Sequence, residues 1–525
     1  VVKAHERLQK IRERTDLKAR PTPHLKKTFT DFDGVEKPLK VRYYQIQMML
    51  HMVICPRFVN GDDTGLGKSL ETIIALCYLW EKQPDLKAVV FTTKSATKQW
   101  VKEFAKFTTG IRVFMCKGTP AKRSAVRKKF EAATEPSVMV MGYAAARKDF
   151  SHIHEWEGMV LVFDECTVFK NPNTQIHRIC KHLSLRAARS WGLTATLIKN
   201  TLVEGYGIYQ VIMPGLFKMS LTAFTLYYCI VRMQAIPRST RKIPIIIGYA
   251  RDKIREFRKV IDFAYLGRAK HEVASELPSI TPRTIEVDLS PAQLDKYKEA
   301  LTKVLMVGDD AHEMTQLTRI TYCQEIVDHM ELVEEEGGSE KMDILLDLLS
   351  NGDLSSENVI VFSRFRRMID IIMLALKKAK IPAVRVTGAE TDEDVRDAAM
   401  SAFQDPKNPA RVICVTTAGS DAINLQAARA IICYDTPWSA GDYLQLLGRM
   451  VRIGSLHDRC FAIHLAARDS VDFRVLEVLK KKMRLIEAVL GRRIQGEDPD
   501  ADFTIPVEND VRSIFNGLRK DAKAA

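Results

Sequence analysis

The chain has 525 residues, 46% of them apolar, with a net charge of +14 and a sequence pI near 9.2. That length exceeds what one hydrophobic core serves and implies about two to four domains. The basic excess favours a polyanionic partner, most simply nucleic acid. The ten cysteines never form C-x-x-C, which argues against a zinc site or a disulfide scaffold and for reduced thiols. No apolar run is long enough to span a bilayer and no signal peptide is evident.

Residues 1–40 read as a polar, basic N-terminal extension whose helical start is broken at Pro21 and Pro23. Residues 41–215 alternate between short apolar runs and helical stretches. "AVVFTT" (88–93), "SVMVMGY" (137–143) and "MVLVFDE" (159–165) are expected to be buried parallel strands, with "SLETIIALCYLW" and "SATKQWVKEFAKF" as helices. Residues 216–335 are expected to be mostly helical, with basic clusters at "RSTRKIP" and "RDKIREFRK". Alternation returns over 336–470, in "NVIVFSRF", "AVRVTG", "ARVICVTT" and "ARAIICYD". A last helix is expected near 471–490, with Leu476, Leu479, Met483, Ile486 and Leu490 on one stripe, before a tail that runs to 525. The fold class is therefore α/β: two parallel-sheet lobes with helical insertions between them and a C-terminal helix.

The stretch "GDDTGLGKSLE" nearly matches the phosphate-binding pattern G-x-x-x-x-G-K-[ST], with Asp62 where the first glycine stands. Gly65 and Gly67 allow the backbone to turn its N–H groups on phosphate oxygens, and the helix beginning near Lys68 adds its positive end. Lys68 would neutralise β/γ-phosphate charge and the Ser69 hydroxyl would ligate Mg²⁺. Asp164-Glu165 ends an apolar strand, which is where a phosphate-bound metal needs counter-charge. Asp164 would hold the metal through water and Glu165 would polarise the attacking water. In "YLQLLGRMVRIGS", Arg449 and Arg452 share one helical face, from which guanidinium groups stabilise transition-state charge. Such an arrangement implies a cleft motor that closes on ATP and reopens after hydrolysis.

These motifs, in this order, resemble the Swi/Snf-type ATPases of helicase superfamily two, over roughly residues 39–490. "VRYYQ" resembles the Q-motif, which makes Gln45 the adenine reader. "DDTGLGKSLE" resembles D-E-x-G-L-G-K-T, a loop that itself begins with Asp. "TTKSATKQW", "VMVMGY", "DECTVFKNPNT" and "GLTATLIKN" resemble the following motifs, with Cys166-Thr167 in place of Ala-His and with Ala195 and Leu197 departing. "YLGRAKHEVASELP" resembles L-R-R-x-K-x-x-V-x-x-x-L-P, and "GGSEKMDILLDLL" resembles S-x-K-x-x-x-L-x-x-L-L. In the fifth motif Ser420, Asp421 and Ala422 replace Gly-Leu-Gly, while Asn424 and Leu425 fit. Asp435 and Trp438 match the family's D-x-x-W. The helix at 471–490 resembles the element that braces the lobes.

The resemblance implies two RecA-like lobes, with Asp63, Thr64, Gly65, Leu66, Gly67, Lys68, Ser69 and Gln445 at the nucleotide, and ATP and Mg²⁺ as cofactors. It implies double-stranded or branched DNA as a partner bound without sequence preference, with Lys94, Ser95, Tyr143, Arg364, Thr416 and Asn424 as candidate contacts. The expected activity is DNA-dependent ATP hydrolysis that drives movement along duplex, remodelling protein–DNA complexes or branched structures by fork regression, branch migration or annealing. A strand-separating helicase, a non-catalytic binding module, and a motor subunit of a restriction or RNA-polymerase-recycling system are the alternatives. A monomeric motor is expected, in a bacterial or phage-infected cytoplasm, or in a nucleus. The N-terminal extension or the tail is a candidate site for a protein partner. The basic stretch "AKRSAVRKKF" (121–130) reads either as a wider DNA footprint or as a solvated face.

Overall fold

The computed structural model describes residues 2–30, 35–235, 242–273, 278–305, 313–390, 393–417, 425–451, 455, 457–490, 505–506 and 514. Arg452, Asn424 and the Ser420–Ala422 stretch lie outside the described residues. The chain forms two compact units. Val1–Cys229 and Ala250–Ala274 belong to the first, and Ile230–Tyr249 and Ser275–Ala488 to the second.

The first unit is built on a seven-stranded sheet in which every pairing is parallel. In chain order its strands are β1 (Arg57–Asn60), β2 (Lys87–Thr92), β3 (Arg112–Cys116), β4 (Ser137–Gly142), β5 (Val160–Asp164), β6 (Arg189–Leu193) and β7 (Tyr265–Leu266). Their spatial order is β7-β1-β6-β5-β2-β4-β3. Val89, Val90, Val138, Met139, Val160 and Leu161 are buried because helices cover both faces, which is why these strands read as unbroken apolar runs. Its helices include α1 (Val2–Arg12), α2 (Tyr43–Ile54), α3 (Lys68–Lys82) and α4 (Thr97–Phe107). The N-terminal extension is docked: Leu8 of α1 is buried and Arg12 pairs with Asp262 at 2.8 Å.

The second unit carries a six-stranded, all-parallel sheet. Its strands are β8 (Ser279–Val287), β9 (Val359–Phe362), β10 (Ala383–Val386), β11 (Val412–Val415), β12 (Ala430–Cys433) and β13 (Arg459–Ala467), in the order β8-β13-β12-β9-β11-β10. Val359, Val361, Cys414 and Ile432 form its core with Leu345, Leu349 and Ile372 from the helices. The helix expected near 471–490 spans Val471–Leu490.

Residues 216–335 are less helical than their composition implies. Besides helices, the described part holds the antiparallel pair Ile230–Ala235 and Lys242–Tyr249, together with β7 and β8. Strand β8 is the sheet edge and mostly exposed, so Pro282, Arg283 and Glu286 are tolerated there and mask the strand pattern. The basic stretch at 121–130 also differs from a DNA footprint in two of its residues. Arg123 and Arg127 are buried on Asp149, with Arg123 Nη2 at 2.7 Å from Oδ1. All ten cysteines are free thiols. Among the described residues no helix is long and apolar enough to cross a membrane, and no cluster of His, Cys, Asp and Glu is placed to hold a metal ion.

Among the buried histidines, His51 of the first unit and His464 of the second sit in the strongest desolvating surroundings. His51 Nδ1–H donates to the Gln47 carbonyl at 2.7 Å and Nε2 accepts from Arg12 Nε at 3.3 Å, a pair of contacts that only the neutral ring satisfies. In the second unit His464 faces the Tyr443 hydroxyl at 2.9 Å. Burial pushes both rings down from 6.5 to about 4. A depressed folded-state value gives stability that is complete above pH 6.5 and lost as pH falls toward 4. Between pH 8 and pH 5 each ring is expected to cost roughly 2 kcal/mol. Urea midpoints at the two pH values test this, and His51→Gln should shrink the drop in the first unit.

Candidate functional site

The loop after β1 and the acidic pair after β5 emerge from the same end of one sheet. Strand β6 separates the two strands, with Asn60 opposite Leu193 and Leu193 opposite Asp164. Ligands of open parallel sheets sit beyond these carboxyl ends. Gly65 and Gly67 have φ of 92° and 98°, the left-handed region that favours glycine, and Gly67 caps α3. A Cβ at Gly67 would also lie 2.5 Å from Gln45 Nε2. That amide donates to the Leu66 carbonyl at 2.9 Å, while Gln45 Oε1 accepts from the Arg42 N–H at 3.1 Å. Gln45 thus joins the start of α2 to the loop.

Lys68 Nζ donates to the carbonyls of Asp62 at 2.8 Å and Asp63 at 3.2 Å. Burial lowers its pKa, opposed by Glu165 and then by Asp62, Asp63 and Glu71. Ser69 follows on the first turn of α3, half-buried.

Asp164 is held from three sides. Its Oδ2 accepts from Thr92 Oγ1 and Trp100 Nε1, both at 2.8 Å, and its Oδ1 accepts from the Glu165 N–H at 3.1 Å. Burial and then the Glu165 charge raise its pKa, against the Trp100 and Thr92 hydrogen bonds and Lys68. Glu165 sits at φ 50°, ψ 52°, an uncommon conformation for a residue with a side chain, and one met at functional turns. Close packing supports the turn behind it. A Cβ at Gly207, on α5 (Leu202–Ile212), would meet the carbonyls of Phe169 and Lys170 at 2.6 and 2.7 Å. Cys166, which replaces the family's alanine, fits over Gly192.

The donor set suits a small hard cation. One hydroxyl and one carboxylate, with remaining positions for water and phosphate, match how Mg²⁺ is usually held. Two adjacent half-buried carboxylates, one with a raised pKa, are the charge state that a divalent cation would relieve.

The other sequence candidates are placed as follows. Lys94 is exposed just after β2, and Ser95 pairs with the Thr93 hydroxyl at 3.1 Å. Tyr143 follows β4 but is only 8% exposed, with its hydroxyl donating to the Asp164 carbonyl at 2.6 Å. In the second unit Arg364 and Thr416 follow the neighbouring strands β9 and β11. Arg364 Nη1 donates to Gln324 at 2.7 Å, its guanidinium lies 4.8 Å from the Trp438 ring centroid, and Thr416 is 6% exposed. Gln445 and Arg449 lie half-buried on the helix Ala440–Met450.

Sequence reasoning missed Arg268. Its guanidinium is buried and clamps Asp62, Nε to Oδ1 at 3.0 Å and Nη2 to Oδ2. The only signal was its place in "YLGRAKHEVASELP". Asp62 stands where a standard phosphate loop has glycine because its side chain serves this clamp.

A model described as the SNF2-related domain matches residues 44–340, and one for the helicase conserved C-terminal domain matches 340–454. The chain is similar to nuclear protein STH1/NPS1 of Saccharomyces cerevisiae, 25% identical over 476 residues, covering 84% of this chain and 34% of that protein. It is similar to chromodomain-helicase-DNA-binding protein 1-like of Mus musculus, 26% identical, covering 86% of this chain and 50% of that protein. It is also similar to the ISWI chromatin-remodeling complex ATPase CHR17 of Arabidopsis thaliana, 25% identical, covering 86% and 42%. The chain thus spans half or less of the length of these curated relatives. A solved Sulfolobus solfataricus SWI2/SNF2 ATPase core in complex with dsDNA aligns with a TM-score of 0.40 at 22% identity, over 87% of this chain and 98% of that one. With its first model covering more than half of the sequence, the chain belongs to the SNF2-related family of helicase-like ATPases.

Proposed function

We propose that the chain hydrolyses ATP and uses the cycle to move along double-stranded DNA, remodelling protein–DNA or branched DNA structures. The observation that carries the reading is the grouping of Lys68, Asp164 and Glu165 at the carboxyl end of one sheet, around a glycine loop that opens a helix. In this reading the loop N–H groups and Lys68 bind the phosphates and Gln45 reads the base. Ser69 and Asp164 hold Mg²⁺, which when bound neutralises phosphate charge. Glu165 accepts a hydrogen bond from the attacking water and orients it in line with the bond to the leaving phosphate. Arg449 and Arg452 are the candidates for stabilising charge on the transferred phosphoryl group.

Duplex DNA as the track rests on the family, on the relatives' names and on the +14 net charge. Lys94, Ser95, Tyr143, Arg364, Thr416 and Asn424 are the proposed contacts, and a single chain is the proposed working unit. Backbone contacts of this kind give little base preference and a steep dependence on salt. The protein would act where such DNA is found, in a bacterial nucleoid, a phage-infected cytoplasm or a nucleus.

The test compares ATP hydrolysis on duplex, single strand, fork and four-way junction, together with displacement of a triplex-forming third strand. Duplex stimulation with triplex displacement and no unwinding of a tailed duplex is the expected result. Unwinding would favour a strand-separating helicase, and hydrolysis indifferent to every polynucleotide would refute the DNA motor.

A further inference from the structure

The nucleotide loop is fastened to a segment that lies 206 residues further along the chain. The Gly61 N–H donates to the Leu266 carbonyl at 2.7 Å, the Asp63 N–H to the Arg268 carbonyl at 3.0 Å, and the Lys270 N–H to Asp63 Oδ2 at 3.1 Å. Tyr265 fills the space above Gly61 and Gly267, where a Cβ on either residue would come within 2.3 Å of its oxygen. Arg268 sits at the centre of this joint and is 8% exposed. Besides its two-pronged grip on Asp62, its own N–H donates to Asp62 Oδ1 at 3.0 Å. Its Nη1 donates to the Tyr44 carbonyl at 2.7 Å and to Gln47 Oε1 at 2.9 Å.

Both ends of this joint lead somewhere. On one side the Asp62 carbonyl accepts from Lys68 Nζ, so the residue that Arg268 clamps by its carboxylate is the one that holds the loop lysine by its main chain. On the other side Gln47 Nε2 donates to the carbonyls of Arg12 at 3.1 Å and Arg14 at 2.8 Å. Arg12 in turn donates to the carbonyls of Asp262 at 2.7 Å and Tyr265 at 3.0 Å. A continuous chain of hydrogen bonds therefore runs from the N-terminal extension through Gln47, Arg268 and Asp62 to Lys68.

We propose that Arg268 is a positioning residue for the nucleotide loop, and that through Gln47 it makes the N-terminal extension part of the same hydrogen-bonded unit. The inference rests on the reading of that loop as a nucleotide site. A bidentate guanidinium fixes both the distance and the plane of the Asp62 carboxylate, which an ammonium cannot do. Displacing Asp62 moves the carbonyl that holds Lys68, and misplacements of about 1 Å cost on the order of a hundredfold in turnover.

The experiment uses the full chain with Arg268→Lys, Asp62→Asn and Gln47→Leu. Binding of a fluorescent ATP analogue with Mg²⁺, steady-state hydrolysis and hydrogen exchange are read on each. Arg268→Lys and Asp62→Asn should each lower turnover by roughly tenfold to a hundredfold. The double variant should be no worse than either single one. Exchange should rise selectively at 61–68 in these proteins, and at 2–14 in Gln47→Leu. Exchange that rises uniformly over the first unit would mark a merely structural ion pair and overturn the proposal. So would an Arg268→Lys protein with wild-type turnover and loop protection. If the wild type binds no nucleotide, the site reading fails instead, and loop protection in Arg268→Lys still decides the role of Arg268.

Discussion

Glu165→Gln should bind ATP as tightly as the parent and lose about 10²–10⁴-fold in turnover, the range that a positioned general base supplies. The reason lies in how unequally the acidic pair is held. Asp164 receives hydrogen bonds from Thr92, Trp100 and the next main-chain N–H, so its carboxylate has a fixed direction. Glu165 is half-buried and set by a left-handed backbone that turns its side chain out of the strand direction. Glutamine keeps the size and the turn but takes no proton from water. Lys68→Ala should behave differently, because it removes a cation that binds phosphate in the ground state and holds the more highly charged transition state more strongly still, so affinity and turnover should fall together. Equilibrium binding and single-turnover hydrolysis separate the two. A Glu165→Gln enzyme with unchanged turnover would remove Glu165 from the chemistry, and a Lys68→Ala enzyme of normal rate would remove the loop.

Legibility in the sequence followed burial. Strands β2, β4 and β5 stood out because helices cover both faces and their central positions are an unbroken apolar run. Strands β1 (RFVN) and β6 (RSWGL) flank the loop and the acidic pair, yet each begins with arginine, spans four or five residues and shows no run. Arg57 is tolerated there because its guanidinium finds the Ser184 and Ser190 hydroxyls at 2.7 and 2.9 Å. The nucleotide loop and Asp164-Glu165 were legible because their chemistry fixes residue types at short range. Arg268 and Asp62 were not, since their pairing is a fact of tertiary contact across 206 positions. Charge alone misled in the same way at Arg123 and Arg127, whose partner Asp149 lies beyond the end of their own helix. A basic residue in a list of residues carries no sign of whether it faces solvent or a buried carboxylate.

Lys341→Met should destabilise the second unit by about 3–5 kcal/mol, the cost of removing one partner from a buried ionic cluster. Lys341 is 1% exposed and its ammonium lies 2.8 Å from Asp328 and 2.6 Å from Asp472, both fully buried. Those residues belong to three separate helices, Glu313–Asp328, Glu340–Ser350 and Val471–Leu490, so a single cation ties together the frame around the sheet. Ser339 and Tyr434 close the cluster, with the Tyr434 hydroxyl donating to the Asp328 carbonyl at 2.9 Å. This is the physical content of the S-x-K pattern at 339–341. Two carboxylates face one ammonium, and burial pushes Asp328 well above the usual carboxylate range while Lys341 stays charged. Without the ammonium the buried Asp328 carboxylate would take up a proton more readily than in the unfolded chain. The folded state then binds more protons than the unfolded one, so the variant's stability must fall as pH rises from the ordinary carboxylate range. Its deficit should therefore be larger at pH 8 than at pH 5. Replacing Asp328 and Asp472 by asparagine in the same protein should recover part of the loss, because the two carboxylates that faced the ammonium no longer stay buried without it. Hydrogen exchange at 340–350 and 459–472 reads the second unit apart from the first. A Lys341→Met protein as protected there as the parent, at both pH values, would show that the cluster contributes nothing to holding these helices.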